Sequence, residues 1–208
     1  MITELFTRNR HSAECAHNYL PAQWDTLISL FGDFERIAGN ELKEIITSRD
    51  VQKGELLMRE GVVPRQLWIL ESGIARSFWH GDADTVTTQF FFPCEFIDCY
   101  HSSFFRSPSA FSIEMIVSGS VIEIRWDKLR ELQQKYPALH HIEKCILACR
   151  HHSHHQRILT LQQFPAAEHY RQLITRYPQL HQQGFYTYIA SYLGITLTSL
   201  SRLRRELE

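Results

Sequence analysis

Residues 185–207 read FYTYIASYLGITLTSLSRLRREL. Ile189, Ala190 and Leu193 make the apolar face of a first helix, Gly194 supplies a tight turn, Ile195 packs beneath it, and Thr196 caps a second helix. In that second helix Leu200 and Leu203 face inward, which leaves Thr198, Ser199, Ser201, Arg202 and Arg205 outward. An ordinary helical hairpin has no need of arginine among short hydroxyls on its free face. A helix lying in a DNA major groove does. The expectation is a helix-turn-helix in which Thr198, Ser199 and Arg202 read base edges while Thr196, Arg204 or Arg205 contact phosphates, with Ser201 on the same face.

Working back from this motif, AAEHYRQLITRYP from Ala166 reads as a helix halted before Pro178. Before it, DKLRELQQKY is a short helix, Pro137 breaks it, and a long helix follows. Leu139, Ile142, Ile146 and Cys149 recur there at alternating spacings of three and four, the seam of a paired helix. The seam turns polar at Ser153 and Gln156. It predicts a homodimer, with packing onto the chain's own sheet as the alternative.

Between Val51 and Arg125 the periodicity shortens to ELLM, QLWIL, IARSFW, TVTTQFFF, SIEMIV and VIEIRW, separated by Gly54, Gly61, Gly73, Gly81, Pro93, Pro108 and Gly119. Closely spaced strands with turn residues between them predict a barrel-like or sandwich sheet. NELKEIITSR, from Asn40 to Arg49, predicts a short preceding helix with Asn40 as its cap. Trp68, Trp79 and the Phe90–Phe92 run need only strand packing to account for them, Phe90 or Phe92 also being able to line a small-molecule pocket. The fold class is therefore α+β: an N-terminal antiparallel β-roll of jelly-roll type, a long dimerisation helix, and a C-terminal helix-turn-helix unit. Expected boundaries are 1–29 for an N-terminal extension with a helix around Trp24 to Phe31, 30–135 for the roll, 136–163 for the dimer helix, and 164–208 for the head.

Composition agrees with this organisation. The 208 residues include 44% hydrophobic and 22% charged types, enough apolar mass for two packed units. The net charge of −1 does not advertise nucleic-acid binding, but Arg202, Arg204 and Arg205 concentrate positive charge in one place. No run reaches the roughly 20 apolar residues of a membrane helix, and MITELFTRNRHSAECAHNYL lacks an apolar signal core, so a cytoplasmic protein is expected. Five scattered cysteines do not form a disulfide framework. Gly-rich phosphate loop, H-E-x-x-H and G-x-S-x-G patterns are missing, which argues against an enzyme.

Lys53-Gly54-Glu55, Glu60-Gly61 and Glu71-Ser72-Gly73 resemble the glycine framework of the cyclic-nucleotide-binding β-roll. Together with Tyr188 to Thr196 and Leu200-Ser201-Arg202, in the right order, they make the stretch from about Asp33 to Leu207 similar to the Crp/Fnr superfamily of transcription regulators. The resemblance implies a dimer on an inverted-repeat operator, RNA polymerase as a further partner, and an effector at the roll that reorients the heads through the long helix. It does not imply cyclic AMP. Nucleotide-binding members carry a Gly-Glu pair after the sixth strand for the ribose and an Arg further on for the phosphate. Here Phe96-Ile97-Asp98-Cys99-Tyr100 and Pro108-Ser109-Ala110 stand instead. A cyclic phosphate without its arginine loses a charge-assisted pair, so these positions, including Ser109 and Ala110, are candidates for another pocket and no cofactor is expected. Arg106 is the one arginine near this stretch that could reach in from another register.

The recognition helix departs too, with Leu197 and Thr198 where better-known members have Arg and Glu, while Arg202 is retained. A C-terminal wing is not expected after that helix. His141, Cys145, Cys149 and His152 are types that bind zinc, but their stripe overlaps the seam, so no metal is expected. Only Cys15 lies near the N-terminus, against an iron-sulfur sensor; Cys94 and Cys99 lie on the cassette and are expected to pack inside it. The remaining alternative is a ligand- or protein-binding roll whose helix-turn-helix no longer binds DNA, and exposure of Arg202 and Arg205 discriminates the two.

Overall fold

The architecture comes from a computed structural model, which describes residues 1–10, 21–81, 84–182 and 184–207, with the side chains at 21, 22, 182 and 207 left aside. Cys15 lies outside them. The elements run α1 (Ile2–Asn9), α2 (Pro21–Ile45), β1 (Ile46–Val51), β2 (Leu56–Met58), β3 (Gln66–His80), β4 (Thr85–Phe91), β5 (Phe96–Ile97), α3 (Tyr100–Phe105), β6 (Ser112–Arg125), α4 (Trp126–Lys135), α5 (Ala138–Gln163), α6 (Ala166–Arg176), α7 (Pro178–Gln182), α8 (Tyr186–Leu193) and α9 (Leu197–Leu207). The expected α+β class with an antiparallel sheet is what the chain adopts.

All strand pairs are antiparallel in the order β1-β6-β3-β4, with β2 also on β6 and β5 also on β3. The runs QLWIL and IARSFW form one strand, as do SIEMIV and VIEIRW. The glycines between them shape bulges instead of ending strands. Gly73 has φ +89°, and a Cβ on Gly119 would lie 2.0 Å from the Ser72 carbonyl oxygen, so the two long strands bend across each other only because both sites lack side chains.

Three apolar clusters fix the arrangement. Trp68, Leu70, Ala75, Phe91, Ile113 and Met115 fill the roll interior. A second cluster sets Phe6, Trp24, Leu27, Phe31 and Phe34 against Phe96, Ile122, Ile142 and Cys149. The N-terminal residues are thus core, with Phe6 fully buried between the rings of Trp24 at 5.2 Å and Phe31 at 5.5 Å. The expected helix around Trp24 to Phe31 is the first part of α2. That helix kinks at Ala38, and the predicted Asn40–Arg49 helix stops at Ile45, where Ile46–Val51 pairs residue by residue with Val121, Ile122 and Ile124 of β6 and their neighbours. Pairing along a ready strand outweighs the helical spacing of Leu42, Ile45 and Ile46.

The third cluster joins roll to head: Ile74, Phe90, Phe92 and Ile116 pack against Tyr170, Leu173, Tyr177, Ile189 and Leu193. Phe92 stacks on Tyr177 with ring centres 3.7 Å apart, and Phe90 meets Tyr192 at 5.2 Å. These phenylalanines are therefore more than strand core. Trp68 is buried, whereas Trp79 is 44% exposed, so packing does not account for Trp79 as expected. Cys94 and Cys99 are buried, as predicted.

Candidate nucleic-acid interface

The first helix of the motif ends where the sequence says it should. Gly194 takes φ +69°, and the amides of Gly194 and Ile195 return to the Ser191 and Ala190 carbonyls, closing a left-handed cap. Thr196 then caps α9: its Oγ1 accepts the Ser199 amide at 3.1 Å. Leu200 is fully buried and Leu203 half-buried, which rotates Leu197, Thr198, Ser201, Arg202 and Arg205 outward.

Within the expected contact set the side chains divide. Thr196 and Ser199 hydrogen-bond each other at 2.9 Å, and the Ser201 hydroxyl donates to the Leu197 carbonyl at 3.0 Å. Arg204 turns inward over the Tyr186 ring, 3.9 Å from its centre. A cation over an aromatic face inside the head positions Tyr186, not a phosphate. Thr196, Thr198, Ser201, Arg202 and Arg205 are exposed, and of these Thr198, Arg202 and Arg205 take no part in the contacts just described.

The head is fixed to the roll through side chains the sequence reading passed over. Ser191 Oγ accepts the Thr87 amide at 2.9 Å and its hydroxyl donates to the Thr85 carbonyl at 3.1 Å. Arg76, 4% exposed, donates to Glu114 at 2.7 Å and Thr87 at 2.8 Å while lying over the Tyr188 ring at 3.8 Å. Arg157 of α5 covers the Tyr192 ring at 3.5 Å and donates to its carbonyl at 2.9 Å. None of these pairs has a local signature, since the partners lie eleven or more residues apart.

The degenerate cassette is tied to α5. Asp98 forms a buried ion pair with Arg150, and the Tyr100 hydroxyl donates to Glu143 at 3.0 Å. Burial and the Glu143 carboxylate push the Tyr100 phenol up to about 12, so it stays a donor. Phe96, Ile97 and Cys99 are buried, with the Cys99 thiol donating to Ser102 Oγ at 3.1 Å. Ser109 accepts the Phe111 amide and hydrogen-bonds the Phe111 carbonyl, while its backbone zips onto Gly61 and Val62; neighbouring Ala110 is exposed. The candidate pocket residues are thus divided between core packing, loop closure and a link to the long helix. Arg106 is exposed at the left-handed end of α3.

On α5, Leu139, Ile142 and Cys149 are buried and Ile146 half-buried against the chain's own helices. The seam periodicity thus reports intrachain packing, the alternative left open above, and the outward stripe is Ala148, His151, His155 and Ile158. His141 and His152 are exposed while Cys149 points inward, its thiol held up to about 12 by burial and by Cys145. Among the described residues no group of three metal-ligating side chains converges, and no helix is long and apolar enough to cross a membrane.

Residues 48–136 match the family model for the cyclic nucleotide-binding domain. No curated protein matches the chain. Among solved structures, a protein from Eubacterium rectale described as a transcriptional regulator of the Crp/Fnr family superposes with TM-score 0.67 at 15% identity over 88% of this chain and 87% of its own. The c-di-GMP-responsive global regulator CLP of Xanthomonas campestris gives 0.62 at 16% identity over 83% and 91%. FixK2 of Bradyrhizobium japonicum gives 0.61 at 17% over 78% and 84%. The chain therefore holds a cyclic-nucleotide-binding-type roll and shares the Crp/Fnr fold.

Proposed function

We propose that the protein is a DNA-binding transcription regulator that works as a homodimer. The observation that carries this reading is the exposure of Thr198, Arg202 and Arg205 on one face of a capped second helix, directly after the left-handed Gly194 turn. That exposure favours a working interface over a helix-turn-helix that only packs. Two heads related by a two-fold axis meet half-sites about 34 Å apart, so the operator is an inverted repeat, with RNA polymerase as a further partner there. Residues 30–135 serve as sensor, braced by the N-terminal helices, residues 136–163 as transmitter, and residues 164–208 as the DNA-binding head. The pairing surface is the outward stripe of α5, where Ala148, His151, His155 and Ile158 recur at spacings of three and four.

Cyclic AMP is not the effector on this reading. Asp98 occupies the cassette and is held by Arg150, and Ser109 stands where an arginine would meet a cyclic phosphate. A titration of labelled operator duplex at fixed moderate salt tests the assignment, because phosphate contacts make affinity salt-dependent. Arg202→Ala weakens binding by about 1 to 3 kcal/mol and relaxes sequence choice. An unchanged profile removes Arg202 from the interface.

A further inference from the structure

A cavity of about 530 Å³ lies where roll, long helix and head meet. Its walls come from Thr88 to Phe92 on and after β4, from Glu95 ahead of β5, and from α5, α6 and α8. The volume falls within the range of small-molecule sites.

Its charge is one-sided. Arg150, Arg157 and Arg176 line it, and Glu95 is the sole acidic residue among the described lining. Each guanidinium is already oriented: Arg150 by Asp98, Arg157 by the Tyr192 ring and carbonyl, Arg176 by the Tyr177 ring 5.4 Å from its centre. With five N–H donors apiece, such side chains retain capacity for an anion after making these contacts.

Glu95 marks the spot independently. It is 6% exposed, and its Oε1 has no hydrogen-bond partner. A buried acceptor without a partner is unusual in a native fold and points to a group that completes it. Burial pushes its carboxyl up to about 8, against the lowering effects of the Phe92 backbone, Arg176 and Arg150. Near neutrality it therefore carries a proton and donates to an oxyanion. The other titratable or charged groups lining the cavity are Cys149, Arg150, His152, His154 and Arg157 on α5, His169 and Arg176 on α6, and Tyr177 and Tyr192.

We propose that this cavity is an effector site for a small phosphorylated ligand, its phosphate oxygens held by Arg150, Arg157 and Arg176 and hydrogen-bonded by Glu95. An occupant there touches roll, transmitter helix and head together. Its consequence for DNA rests on the regulator reading above, but its binding does not.

The test is calorimetric titration of the full chain with inorganic pyrophosphate and, separately, ADP. Pyrophosphate binds one per chain, and Arg176→Gln weakens it at least tenfold. Arg176→Lys, which keeps charge and length, separates binding from folding; it holds part of the affinity. Tighter binding of ADP assigns a nucleotide to the site, and equal binding assigns a simpler phosphorylated metabolite. Arg202→Ala retains pyrophosphate binding while weakening DNA binding, so failure of the DNA reading stays distinct. Absence of heat with both probes, or an Arg176→Gln affinity equal to the parent's, overturns the proposal.

Discussion

Ser191, in the first helix of the helix-turn-helix, accepts the backbone amide of Thr87 at 2.9 Å and donates to the Thr85 carbonyl at 3.1 Å, so the head covers the edge strand of the roll. An uncovered edge offers unpaired backbone groups to any passing strand. Here a single hydroxyl satisfies two of them. Roll and head are consequently one packed body in this conformation, with Phe92 against Tyr177 and Arg76 over Tyr188 extending the seam.

Replacing Ser191 with alanine removes only the hydroxyl and leaves the Thr87 amide buried and unpaired. The expected loss is about 1 to 3 kcal/mol, measured as a lowered midpoint of denaturant unfolding with an unchanged slope. A variant as stable as the parent would show that this contact does not hold the head.

Gly119 and Gly194 separate two reasons for glycine. At Gly119 a Cβ would strike the Ser72 carbonyl, so Gly119→Ala forces β3 and β6 apart and is expected to cost about 3 kcal/mol or more. At Gly194 a Cβ would meet no atom within 4 Å, and only the φ of +69° resists, so Gly194→Ala costs about 1 to 2 kcal/mol. Thermal unfolding of the two variants checks the order.

Glu95 makes stability fall with pH. Its carboxyl titrates at about 8 in the folded chain, up from an ordinary value of 4.5. The folded state therefore binds a proton that the unfolded state releases, and the stabilisation is fully present below about 4.5 and lost as pH rises through about 8. Glu95→Gln should match the parent near pH 4.5, exceed it at pH 8, and flatten the slope between them, as read by denaturant unfolding across that window.

Arg202 and Arg204 are two positions apart yet serve different ends. Arg202→Ala should weaken operator binding while leaving the melting temperature unchanged. Arg204→Ala removes the cation over Tyr186, worth about 0.5 to 2 kcal/mol, and should lower the melting temperature. Melting curves and DNA titrations on the same preparations distinguish them.

What could be seen in the sequence was what neighbouring residues decide. Gly194 and Thr196 specify the motif turn through backbone conformation and capping, and both do so in the structure. The strand runs declared themselves by alternation. Their joining across Gly73 and Gly119 did not, because a glycine marks a turn or a bulge with equal ease until the partner strand is known. The same limit explains α5. Helical spacing at Leu139, Ile142 and Cys149 identifies an apolar face but not what covers it, and the covering residues, Phe31 and Phe34 among them, sit over a hundred positions earlier. Glu95 and its arginines likewise carry no motif, being assembled only by the packing of the roll against α5 and α6.

Sequence-specific DNA binding is decided by selection of random duplexes with the purified full chain at fixed moderate salt. Enrichment of an inverted repeat with half-sites about one helical turn apart, weakened in Arg202→Ala, is expected. Failure to enrich any sequence with folded, dimeric protein, with and without added phosphorylated ligand, would contradict it.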